Sequence, residues 1–163
     1  MPNRKRLTLA ALAGLSMVAH TASADWGIAE GSTLNYVSIK NSAIAENNAY
    51  TRGTGSITDD GNVAVTVDLA SVDTAVDIRN QRMREIFFEV ADHPEALITG
   101  QLDADDLAQL KAGAPVERTL PLTLSLHGSD VTVDAKLRAL SVGGELFVTT
   151  LEPILLFAGD FGL

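Results

Sequence analysis

The side chains that could carry chemistry in this chain are few, and their spacing is uninformative for catalysis. There is no cysteine. That excludes thiol nucleophiles, thiolate metal sites, disulfides and a lipid-modified N-terminal cysteine. Neither a G-x-S-x-G elbow nor a Gly-rich phosphate loop occurs. His20 lies at the end of an N-terminal apolar run, while His93 precedes Pro94 and His127 precedes Gly128. The last two read as turn positions rather than as zinc ligands in register, so no metal is expected. Asp59 and Asp60 belong to a turn sequence, and Asp103, Asp105 and Asp106 open a helix. Neither group forms an acid/base pair, so no catalytic residue is assigned and an enzyme is not expected. Beyond residue 24, Arg79, Arg82 and Arg84 make the one dense cationic cluster; 79 and 82 share a helix face, with Asp73, Asp77 and Glu85 as surface partners.

The chain that must position these groups has 163 residues, 12 basic against 21 acidic, for a net charge of −9. That balance argues against nucleic acid, because phosphate binding needs clustered Lys and Arg. Hydrophobic residues make up 46%, enough for a folded core and too many for a disordered acidic tail. Arg4-Lys5-Arg6, the apolar run Leu7 to Ala19 and the small-residue site Ala22-Ser23-Ala24 together describe a secretory signal peptide cut before Asp25. The apolar run is well short of the about 20 residues that span a bilayer. Residues 1–24 are therefore expected to leave, His20 with them. The domain, residues 25–163, is expected in the periplasm, unanchored and not integral to the membrane.

Its dominant period is two. Leu34, Tyr36 and Ser38 alternate with Asn35 and Val37; Val63, Val65, Val67 and Leu69 do the same, as do Leu120, Leu122, Leu124 and Leu126, then Val131, Val133, Ala135 and Leu137. Such alternation describes strands with one buried face. Asp59-Asp60-Gly61-Asn62 and His127-Gly128-Ser129-Asp130 read as hairpin turns, so the sheet is antiparallel. Strands are expected near 33–40, 49–57, 62–70, 96–102, 118–127, 130–140 and 145–152. Helical spacing replaces the period over 74–90, with Asp73 or Thr74 as cap, and over 103–111, with Gly113 as a stop. A curled, mainly β antiparallel sheet with one lined face is the natural architecture.

The residues then begin to resemble a known family. Asp68-Leu69-Ala70-Ser71-Val72-Asp73-Thr74 is similar to the strand ending in Ser-x-x-Thr of YceI-like proteins. Asp77-Ile78-Arg79-Asn80-Gln81-Arg82-Met83 resembles their Arg-(Asp/Asn)-x-x-(Leu/Met) helix, and Phe87-Phe88-Glu89 their Phe-Phe-(Asp/Glu) segment, followed by Pro94. Leu124-Ser125-Leu126-His127-Gly128 looks like the family's Leu-Thr-Leu-His-Gly strand end, and Pro153-Ile154 through Asp160-Phe161-Gly162 its closing motif. Asn80 and Arg82 depart from the Asp and His of many members. The chain stops at Leu163, where members usually continue through a helical turn and a last strand. Seven strands against the family's eight would leave a barrel with two open edges and a route to a homodimer.

The resemblance implies a lipocalin-like antiparallel β-barrel, with one or two short helices, that holds a polyisoprenoid such as a ubiquinone-type lipid and does no catalysis. Beyond that bound lipid or quinone, no cofactor is expected. On that reading Leu34, Tyr36, Val65, Val67, Phe87, Leu122, Leu124, Leu126 and Val133 would line the apolar cavity, and Arg79 would meet a quinone carbonyl or phosphate at its rim. Periodicity alone leaves a second reading open: a structural or interaction module whose barrel is filled by its own side chains and takes no ligand.

Overall fold

The computed structural model describes residues 24–29, 32, 34–40 and 44–163. The expected signal segment, up to Ser23, lies outside them. A seven-stranded antiparallel sheet runs in the order β1 (Ala24–Gly27), β4 (Gly53–Thr58), β5 (Asn62–Asp68), β7 (Glu95–Gln101), β8 (Val116–Leu126), β9 (Ser129–Val142) and β10 (Glu145–Thr150). A smaller sheet joins β2 (Leu34–Lys40), β3 (Ile44–Tyr50) and the two-residue β6 (Val72–Asp73). The long hairpin β8–β9 pairs continuously from Val116↔Ala139 to Leu126↔Ser129.

Turn chemistry sets these registers. His127 and Gly128 both have positive φ, 50° and 77°, which is the two-residue type I′ connection whose twist matches the strands it joins. Gly143 and Gly144, at 63° and 89°, repeat that solution between β9 and β10. In the expected β4–β5 hairpin, the Gly61 amide donates to the Thr58 carbonyl at 2.9 Å.

The sheet curls until its edges share a core. Trp26 of β1 and Leu146 of β10 both pack on the buried cluster of Leu102, Leu107, Leu110 and Val116. Leu107 and Leu110 come from α2 (Ala104–Lys111), so that helix closes one end of the barrel. Asp103 caps it, its carboxylate accepting from the Asp106 amide at 2.7 Å, and Gly113 follows its end at φ 75°. A second cluster, Val67, Leu69, Phe88 and Ala96, fills the other end. There, α1 (Asp77–Arg82) continues into a π-helical turn, Met83–Phe87, and Met83, Phe87 and Val90 pack inward.

Three expectations are corrected. The strand expected at 49–57 is two strands, β3 and β4, interrupted at Thr51 and Arg52. The expected strand 33–40 forms, as β2, but in the side sheet; the edge of the barrel is β1, which begins at Ala24, the last residue of the expected signal segment. The helix is shorter than 74–90 and its Ncap is Val76, with no side-chain cap. Asp73 instead accepts from the Ala75 amide at 2.8 Å, and Thr74 Oγ1 donates to Asn80 Oδ1 at 2.6 Å, holding the approach to the helix. The segment after Pro153 turns back onto the barrel: Phe161 is buried and Leu163 packs on the Phe88 cluster, while Leu155 and Phe157 stay 70% and 62% exposed.

Candidate functional site

The inner face of the barrel is built from cross-strand rows. Val65 of β5 opposes Ile98 of β7, which opposes Leu124 of β8, which opposes Val131 of β9. The neighbouring row carries Leu122 opposite Val133. Val67, Val65, Phe87, Leu124 and Leu126 meet in one cluster, so five of the residues expected at the cavity are brought together. Val67 is buried, whereas Val65, Ile98, Leu122, Leu124, Leu126, Val131 and Val133 are only half-buried. An inward apolar row that is not fully covered lies between two ends that are. Leu34 is not drawn in: it is 43% exposed at the start of β2.

An aromatic series leads from the side sheet to this interior. Tyr36 stacks on Tyr50 with ring centres 5.3 Å apart, Tyr50 tilts against Phe88 at 6.2 Å, and Phe88 takes Phe87 edge-on at 4.9 Å. Tyr50, Phe87 and Phe88 were not all legible as one group, because Tyr50 comes from a strand that the sequence pattern merged with β4. Burial pushes the Tyr50 hydroxyl well above its usual pKa. Burial also raises that of Tyr36, with the Arg79 charge acting in the opposite direction.

Arg79 stands at the outer end of this series. Its Nη1 pairs with Glu46 of β3, not with Asp73, Asp77 or Glu85, and its Nη2 donates to the Thr74 carbonyl at 3.2 Å. Its Nε is buried and makes no hydrogen bond. At the opposite end, Asp106 of α2 is buried to 1% exposure and held by Arg118 of β8, with Nε to Oδ2 at 3.0 Å and Nη2 to Oδ1 at 2.9 Å.

Outside the interior, a third group converges. The ligand atoms of Glu89, His93 and His127 all lie within 4.8 Å of one another. The two imidazoles are tilted at 49° with centres 4.1 Å apart, and His127 Nε2 lies 3.2 Å from Glu89 Oε2. The turns that the histidines occupy face each other, which the sequence alone does not signal. Two surface hollows lie elsewhere. One of about 340 Å³ is lined by Thr119, Asp134, Lys136, Glu152, Pro153 and Ile154. A more open one of about 580 Å³ lies beside Trp26, Lys111 and the Gly143-Gly144 turn. Among the described residues, no helix is long and apolar enough to cross a membrane.

A curled antiparallel sheet with a half-covered apolar inner face, a helical strap at one end and a helix across the other is a small β-barrel domain. The chain belongs to the YceI-like domain family, whose model matches residues 17–163. Among solved structures, it is similar to a polyisoprenoid binding domain from Saccharophagus degradans implicated in plant cell wall breakdown. The TM-score is 0.79 at 29% identity, over 86% of this chain and 82% of that one. It also shares its fold with BcnA of Burkholderia cenocepacia, at TM-score 0.59 and 16% identity, over 80% and 79% of the two chains. No curated protein matches the sequence.

Proposed function

We propose that this domain is a non-catalytic carrier, exported to the periplasm after loss of residues 1–24, that holds the isoprenoid tail of a quinone-like lipid inside the barrel. The observation that carries this reading is the incomplete burial of the inner rows Val65–Ile98–Leu124–Val131 and Leu122–Val133. In a self-filled barrel those mid-strand positions would be the driest in the molecule. The 29%-identical Saccharophagus domain, described as polyisoprenoid binding, supports the same ligand class. Covering a few hundred Å² of tail at about 25 cal/mol per Å² gives several kcal/mol before association costs are subtracted. The unpartnered Nε of Arg79, next to the aromatic series, supports a head-group oxygen as the second contact.

The self-filled module remains the competing reading, because Phe88, Val67, Leu69 and Ala96 already occupy the strapped end. Organic extraction of protein purified from a bacterial periplasm, followed by mass spectrometry, separates the two. A stoichiometric isoprenoid supports the carrier. A lipid-free protein that also takes up no added ubiquinone overturns it.

A further inference from the structure

We propose that Glu89, His93 and His127 form a site for a divalent transition-metal ion of the Zn²⁺ type, at the end of the barrel beside the β8–β9 turn. The backbone builds it from two independent directions. The Glu89 carbonyl accepts from the amides of both Asp92 and His93, each at 2.9 Å, closing a single helical turn. That turn brings residues 89 and 93 back beside each other, with their ligand atoms within 4.8 Å. His127 reaches the same point from the adjacent hairpin, where the tight turn with Gly128 fixes its direction.

Glu89 itself sits at φ 49°. It directly follows the Phe88 C-cap of the π-helical turn, a place where glycine or asparagine is normally favoured because a Cβ is strained there. The left-handed conformation of His127 is explained by its turn. That of Glu89 ends the π-helical turn with a Cβ that glycine would lack, and strain of this kind collects at functional positions.

The donor set selects the ion. Two imidazole nitrogens and one carboxylate suit zinc and its first-row neighbours, whereas Mg²⁺ and Ca²⁺ ask for oxygen alone. Tetrahedral zinc with N and O ligands at 2.0–2.1 Å places neighbouring donors about 3.3 Å apart. Glu89 Oε2 and His127 Nε2, at 3.2 Å, already stand at that separation. His93 offers a ring nitrogen within 4.8 Å of both. Both histidines are half-buried and Glu89 is exposed, so an ion can enter from solvent. Three protein ligands leave a fourth position for water. Bound there, the ion would tie the loop before β7 to the hairpin of its neighbour β8, across a sequence separation of 38 residues.

The test is calorimetric titration of the tag-free, chelator-stripped protein with ZnCl₂, with metal analysis after dialysis. His127→Asn is the informative variant, because Asn-Gly is itself a favoured type I′ pair and the hairpin survives. His93→Gln and Glu89→Gln complete the set. The expected result is one Zn²⁺ per chain in the wild type, a rise in melting temperature with the metal, and at least about tenfold weaker binding in each histidine variant. Circular dichroism checks that the variants are folded. Absence of saturable zinc uptake by the wild type, or wild-type affinity in a folded His127→Asn protein, overturns the site and leaves a tilted imidazole pair with a hydrogen-bonded carboxylate. Lipid loading is measured separately, so failure of the metal site and failure of the carrier reading are distinguishable.

Discussion

Leu122 fills the space that a side chain on Gly100 would need: a Cβ at position 100 would lie 2.6 Å from Leu122 Cδ2. Gly100 is therefore a packing glycine, chosen for what lies over it. The opposing atom is the tip of a flexible side chain, so Gly100→Ala can be accommodated by turning Leu122 further inward. Overpacking costs about 1–3 kcal/mol, and a compatible Gly→Ala change returns about 0.4–1 kcal/mol by restricting the unfolded chain. The expected outcome is a urea midpoint lowered only slightly, with a clear loss of co-purifying isoprenoid because Leu122 now occupies tail volume. An unchanged lipid load in a folded Gly100→Ala protein would place the tail away from this row.

The carrier reading also makes Leu124 sensitive to polarity rather than to size alone. It sits mid-row between Ile98 and Val131 and packs on the Val67–Phe88 cluster. Leu124→Asp sets an unpaired carboxylate against the tail, and desolvating it costs on the order of several kcal/mol. Lipid binding is expected to vanish. Because a buried carboxylate also destabilises the fold, Val133→Phe is the companion: it keeps the face apolar and takes up its volume. Full lipid occupancy in folded Val133→Phe would show that the inner face opposite Leu122 is not the cavity.

At the α2 end, the fully buried Asp106 depends on a half-exposed Arg118. Removing one partner of a fully buried pair costs about 3–5 kcal/mol, because the other charge is stranded. Here Arg118 is 48% exposed and solvent compensates in part, so Arg118→Met is expected to cost about 2 kcal/mol. Urea denaturation reads this directly. A change below 0.5 kcal/mol, roughly the scatter of ordinary surface substitutions, would mean that water or the α2 N-terminus already satisfies the carboxylate.

These sites differ in how far the sequence revealed them. The β5 and β8–β9 strands were legible because Val63 to Leu69 and Leu120 to Leu137 keep period two and because His127-Gly128 specifies its own turn. The edge strand at Trp26 was not, since it is only four residues long and the processing signal expected from the sequence ends within it. Arg79 was singled out, but its partner was not: Glu46 is 33 residues away on β3, in a stretch before residue 49 where no strand was expected. The Glu89–His93–His127 group illustrates the general obstacle. Its members lie in two loops with no periodicity, and only the folded register of β7 on β8 makes the loops neighbours.

The last prediction concerns pH. Asp60 lies in the β4–β5 turn, where Thr58 Oγ1 donates to Oδ1 and Asn62 Nδ2 donates to Oδ2 at 2.7 Å. The Thr58 hydroxyl is the largest cause, with further help from the Asn62 side chain and the local amides, of a carboxylate pKa held below its usual value. A folded-state pKa lower than the unfolded one means that the unfolded chain binds the proton more readily. The associated stabilisation is therefore complete above the unfolded pKa, near 3.9, and is lost as pH falls through the folded one. Asp60→Asn removes this proton linkage while keeping a side-chain oxygen that can accept from Thr58. The expected outcome is a urea midpoint that depends less steeply on pH below about 4 than in the wild type, with nearly equal slopes above about 5. Since Asp60 is exposed, the difference is small and best read by comparing the two proteins at matched ionic strength. Parallel curves for Asp60→Asn and wild type down to the acid limit would show that the turn carboxylate titrates alike in both states.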